Sequence, residues 1–142
     1  MREYAGAETS ALLHKLAEQV DHAARAADAD SIHDLRVVIR RLSRCLKVFA
    51  QFYPGRSWKK LRRSLSELMD AAGAVRDLDI AIGLLAEAGF SRRAAVVVHL
   101  TDERRKQGRA FLKAVREWKG GRLKQHWRRK LELGAPGAVR RG

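Results

Sequence analysis

The chain has 142 residues, enough for one domain with a real core, and carries 30 Lys and Arg against 16 Asp and Glu, a net charge of +14. One cysteine, Cys45, excludes an internal disulfide, and no apolar run approaches the ~20 residues of a membrane-spanning helix. With only two prolines, abundant alanine and no stretch of period-two alternation, the expected fold is all-α.

The first predicted helix runs from about Ser10 to Ala27, with Thr9 as its cap and Leu12, Leu13, Leu16 and Val20 on one face. No signal-peptide-like apolar run precedes it, so the chain is expected in the cytoplasm, where a lone Cys45 suits the reducing milieu. The second helix runs from Ile32 to about Phe52, where Pro54-Gly55 makes a turn. Ser31 as N-cap and Asp34 three residues later have capping-box spacing. Leu35, Ile39, Leu42, Leu46 and Phe49 form its apolar seam. Beside the seam, about 100° round the helix, His33, Arg36, Arg40, Arg44 and Lys47 form a polar row that Arg41 widens.

The third helix, about Trp58 to Ala88, keeps a seam through Leu61, Leu65, Leu68, Ala72, Val75, Leu78, Ile82 and Leu85. Gly73 and Gly83 interrupt it, each either weakening the helix or admitting a close neighbour. Gly89 ends it and Ser91 caps a fourth helix, about Arg92 to Trp118, whose apolar side holds Val97, Leu100, Phe111, Leu112 and Val115. Residues 119–142 form a basic C-terminal tail: a short fifth helix in RLKQHWRRKLEL, then a disordered end from Gly134. Short loops between long amphipathic helices predict an antiparallel four-helix bundle over residues 1–118.

Charge is unevenly spread. Residues 31–63 hold ten Lys and Arg against one Asp, whereas residues 64–90 hold one Arg against five acids. Such a polarised surface attracts polyanions. Arginines one helical turn apart stand about 5–6 Å apart, so Arg36, Arg40 and Arg44 can follow a chain of phosphates with bidentate forks. The plain alternative is a solvated basic face. Lys59 with Arg63, and Arg105 with Arg109, are further i,i+4 pairs without intervening acids. If helices two, three and four turn these sides together, they line one basic groove.

HDLRVVIRRLSR on the second helix, followed by GAVRDLDI on the third, resembles the CHAD family, the conserved histidine α-helical domains. His33, Arg36, Arg40 and Arg41 match the family's first motif; Gly73, Arg76, Asp77 and Asp79 match the second. The resemblance covers about residues 9–118 and the first half of a full domain, which holds two similar bundles. A second copy would complete it as a homodimer, or the chain works alone in reduced form. The resemblance implies binding of inorganic polyphosphate and association with polyphosphate granules, without catalysis.

On that reading His33, Arg36, Arg40, Arg41, Arg44, Lys47, Lys59, Arg63, Arg76, Arg105 and Arg109 are the polyphosphate-binding candidates. His33, near the positive end of its helix, either donates to phosphate as a neutral imidazole or makes a structural hydrogen bond. Asp77 and Asp79 stand about 200° apart on a helix and cannot share an ion. One of them is expected instead to pair with second-helix arginines and hold them in place. No cofactor, metal motif, phosphate loop or nucleophile elbow is recognisable, so no catalytic residue is expected. Two other readings are nucleic-acid binding, with Trp118 or Trp127 stacking on a base, and a scaffold docking on an acidic protein.

Overall fold

The computed structural model describes residues 1–120 and 123–133; the expected disorder from Gly134 lies outside them. The described chain is all-α. Helix α1 spans Arg2–Arg25, α2 Ala29–Val48, α3 Gly55–Glu87, α4 Ala95–Gly120 and α5 Leu123–Lys130, with a 3-10 turn at Ala50–Phe52.

Helix α1 begins eight residues earlier than the sequence pattern predicts, and Thr9 is not its cap. Its buried stripe is Ala5, Thr9, Leu13, Leu16, Val20 and Ala23, so Thr9 occupies a core position one turn before Leu13. A buried hydroxyl needs a partner. Cys45 Sγ lies 3.3 Å from Thr9 Oγ1, Thr9 bonds the Tyr53 hydroxyl, and that hydroxyl donates to the Ala5 carbonyl at 3.0 Å. This short relay ties the start of α1 to the end of α2 and the turn after it. Burial pushes the Cys45 thiol up, in keeping with a packing role.

Helix α2 starts at Ala29, and Asp28 rather than Ser31 is its N-cap, its carboxylate accepting from the Ser31 N–H at 2.9 Å. Ser31 is buried one step inside, its hydroxyl donating to the Ala26 carbonyl, so the capping box with Asp34 does not form. Asp28 lies three residues ahead of Ser31 and reaches the unsatisfied N–H groups of the first turn. The backbone bond holds its carboxyl below the usual value. The helix then ends at Val48, short of the predicted Phe52, and the 3-10 turn leads to Pro54, which precedes α3.

Helix α3, 33 residues long, spans about 50 Å, against about 30 Å for the 20 residues of α2. Its fully buried positions stop at Val75; Leu78, Ile82 and Leu85 are only half-buried. A Cβ at Gly73 or Gly83 would meet nothing, so neither glycine admits a close neighbour. Gly89, at φ +88°, ends the helix in the left-handed region as expected. Ser91 accepts from the Arg93 N–H at 3.1 Å and so shapes the turn ahead of α4, which begins at Ala95 rather than Arg92.

Helices α1, α2, α3 and α4 each pack on two others, in the ring α1–α2–α3–α4–α1, and α5 lies against α1 and α4. Phe111, Leu13, Leu16, Leu35, Ile39, Leu42, Leu61, Leu65 and Leu68 fill the centre. Trp127 and Leu131 add α5 and the chain after it to the same core. Among the described residues no helix is long and apolar enough to cross a membrane.

Candidate functional site

The buried stripe of α2 fixes the direction of everything beside it. Leu35, Ile39, Leu42 and Leu46 are inside, so Arg36, one residue on, lies on the flank of the helix at its boundary with α3. Arg36 is half-buried, and its Nε is closed off from solvent without a hydrogen-bond acceptor. Burial lowers the pKa of its guanidinium, Arg40 and Arg76 lower it further by repulsion, and Asp77 partly offsets them. The charges of Arg40 on the same helix and of Arg76 and Asp77 on the next therefore all act on Arg36. Of the candidates drawn from the two motifs, these are brought together.

The arrangement is electrostatically unfinished. Three guanidinium groups share one neighbourhood with a single exposed carboxylate, and a shielded N–H donor is left open. An unsatisfied buried donor typically costs about 1–3 kcal/mol. An anion with several acceptor oxygens would relieve both the repulsion and the open donor. The Gly73 position adds room, since it lies one turn before Arg76 and Asp77 with empty space where a side chain would stand.

The other candidates are more dispersed. His33, Arg41, Arg44 and Lys47 are exposed on α2. Lys59 and Arg63 are exposed on the outer side of α3, about 160° and 200° from the buried Leu61 direction, and so face away from the core. Lys59 places its Nζ 5.8 Å from the centre of the Trp58 ring. Arg105 is not without a neutralising acid: its Nη1 is 3.3 Å from Asp102 Oδ1, an exposed pair one turn apart. Arg109 is exposed and stands apart from the charges that act on Arg36.

Of the two carboxylates, Asp77 or Asp79, expected to pair with the arginines of α2, Asp79 has a different partner. Asp79 pairs with Arg104 of α4, Nε to Oδ1 at 2.9 Å, and Arg104 Nη2 lies 3.4 Å from the Ala27 carbonyl just past α1. One guanidinium thus joins α3, α4 and the end of α1. Asp77 acts on Arg36 through its charge at longer range. Gly108 makes the Arg104 position available, since a Cβ there would lie 2.6 Å from Arg104 Nη1. The signal for this pair was present in the sequence. Asp79 is four residues from Val75 and Arg104 seven from Phe111, so each puts a charge in line with an apolar stripe, where it requires a partner.

Among the described residues no group of three or more His, Cys, Asp or Glu side chains could hold a metal ion. No curated protein and no solved structure gives a significant match to the chain. A family model does: the CHAD domain matches residues 8–141, nearly the whole chain, taking in α5 and the segment beyond it. With the His33–Arg41 and Gly73–Asp79 motifs on helices that pack together, and the Arg76 charge acting on Arg36 across the boundary, the chain belongs to the CHAD domain family.

Proposed function

We propose that this protein binds inorganic polyphosphate, without catalysis, on the basic surface where α2 meets α3. The observation that carries the proposal is Arg36: a shielded, unpartnered N–H beside two further arginines. The link of CHAD domains to polyphosphate supports it independently. Polyphosphate offers only charge and acceptor oxygens, and the site offers three cationic donors against one carboxylate. Arg36, Arg40 and Arg76 form the centre in this reading; His33, Arg41, Arg44 and Lys47 extend it along α2. Lys59, Arg63, Arg105 and Arg109 act as a longer-range field that raises the association rate.

The ring of helices is read here as an antiparallel four-helix bundle. Two close approaches support this: the start of α1 to the end of α2, and Asp79 to Arg104 across the α3–α4 connection. The same reading takes the working form as a homodimer. Ile80, Leu84, Phe90, Val96 and Val98 are large apolar side chains left exposed on the end of α3, the connection and the start of α4. Residues 78–100 hold two acids and two arginines, so two copies can meet there without the repulsion of a +14 chain.

The test is competition at physiological salt between long-chain polyphosphate and single- or double-stranded nucleic acid, at equal phosphate concentration. Polyphosphate is expected to win, and its affinity to fall steeply with salt. Combined Arg36→Gln, Arg40→Gln and Arg76→Gln substitution should abolish binding while the helical circular dichroism remains. Preference for nucleic acid, or undiminished binding by that folded variant, overturns the proposal. A solution mass equal to one chain with and without polyphosphate overturns the dimer.

A further inference from the structure

On the opposite side of α3 from this cluster, a cavity of about 350 Å³ opens between α3, the end of α4 and α5. Glu67, which lines it, is nine residues before Arg76 and so about 180° round the helix. The cavity is within the size range of small-molecule sites. Its lining is the reverse of what the composition leads one to expect: two tryptophans, Trp118 and Trp127, and two glutamates, Glu67 and Glu117.

Each wall is set by a different part of the fold. Trp127 is only 6% exposed and packs T-shaped against the His126 ring, centroids 5.0 Å apart, so the core and His126 hold it in the cavity wall. Trp118 is half-buried at the end of α4. Glu67 and Glu117 are exposed and come from different helices. Among the described residues neither accepts a hydrogen bond nor pairs with Lys, Arg or His, in a chain where cations outnumber acids by 30 to 16. His126 completes the rim; burial, then the nearby Lys130, Arg129 and Lys60, favour its neutral form, so the imidazole adds no opposing charge.

We propose that this groove binds an organic ammonium cation, held against the indoles of Trp118 and Trp127 and neutralised by Glu67 and Glu117. Indole faces attract a weakly hydrated cation, and the carboxylates supply the counter-charge. Lys60, Arg129 and Lys130, which act on His126, set the selectivity. Their repulsion is offset only for a ligand that also gains contact with the rings, so a small hydrated ion such as ammonium is excluded.

The test is tryptophan fluorescence of the full chain carrying Trp58→Phe, which leaves Trp118 and Trp127 as reporters, titrated with tetramethylammonium chloride. A saturable change is expected that sodium and ammonium chloride at equal ionic strength do not give. Combined Glu67→Gln and Glu117→Gln substitution should weaken it at least about tenfold, with thermal unfolding unchanged. The Arg36→Gln, Arg40→Gln, Arg76→Gln variant should retain it, which separates this site from polyphosphate binding. Lack of saturation, an unaltered response in the double glutamine variant, or a response to adenosine in place of tetramethylammonium overturns the proposal.

Discussion

Replacing Arg36 by methionine should weaken ligand binding and stabilise the fold at the same time. In the free protein Arg36 carries an N–H shielded from solvent without an acceptor, beside Arg40 and Arg76. The open donor alone is a penalty of about 1–3 kcal/mol, and methionine retains much of the apolar stem that packs at the helix boundary. A gain of about 1 kcal/mol follows, or about 3 °C in Tm for a domain of this size. Binding should move the other way. One charge-assisted contact to phosphate is worth about 1.5–3 kcal/mol, so Kd for polyphosphate should rise roughly 10- to 150-fold. The salt dependence should flatten by about one phosphate contact. Urea unfolding and calorimetric titration at two salt concentrations measure both effects. A less stable Arg36→Met protein with unchanged affinity would refute the argument, because Arg36 would then be a structural residue satisfied by its own fold.

The Asp79–Arg104 pair is part-buried and joins three elements, so Asp79→Asn should lower stability by about 1–2 kcal/mol in urea unfolding. Polyphosphate affinity should stay within about threefold of the parent, since the pair lies outside the Arg36 cluster; a larger loss would restore a direct role for Asp79. Gly108→Ala should displace the Arg104 guanidinium and so gain less than the about 1 kcal/mol that alanine normally adds at a helical glycine; the full gain in urea unfolding would refute the contact. Gly83 is an exposed helical glycine with open space at its Cβ, so Gly83→Ala should raise stability by about 0.5–1 kcal/mol. For Asp28, whose carboxyl is held below 3.8, the stabilising bond is fully present above that ordinary value and is lost as pH falls through the lower folded-state value. Asp28→Asn, which caps without ionising, should make the urea midpoint less dependent on pH below about 4. Identical acid profiles would show that the cap does not contribute.

The helices and the Arg36–Arg40 row were legible in the chain because both follow from a 3.6-residue period, which needs no knowledge of the rest of the molecule. Element ends were less legible because caps compete. Asp28 and Ser31 are both good N-caps at adjoining turns, and burial of Ser31 against Ala26 decided between them. Thr9 read as a cap because its polarity hid its place in the stripe from Ala5 to Ala23; Tyr53, 44 residues away, supplies the partner that lets it be buried. Which carboxylate serves which arginine was also beyond local pattern. Asp79 could reach either neighbouring helix from the sequence, and the packing of α3 on α4 gave it to Arg104. By itself the sequence determined an all-α, strongly basic chain with an arginine row beside an apolar seam. The tertiary structure alone decided that the Arg76 charge acts on that row and that two glutamates and two tryptophans share a cavity. Periodicity fixes angles about one helix axis; only packing fixes which sides of different helices face each other.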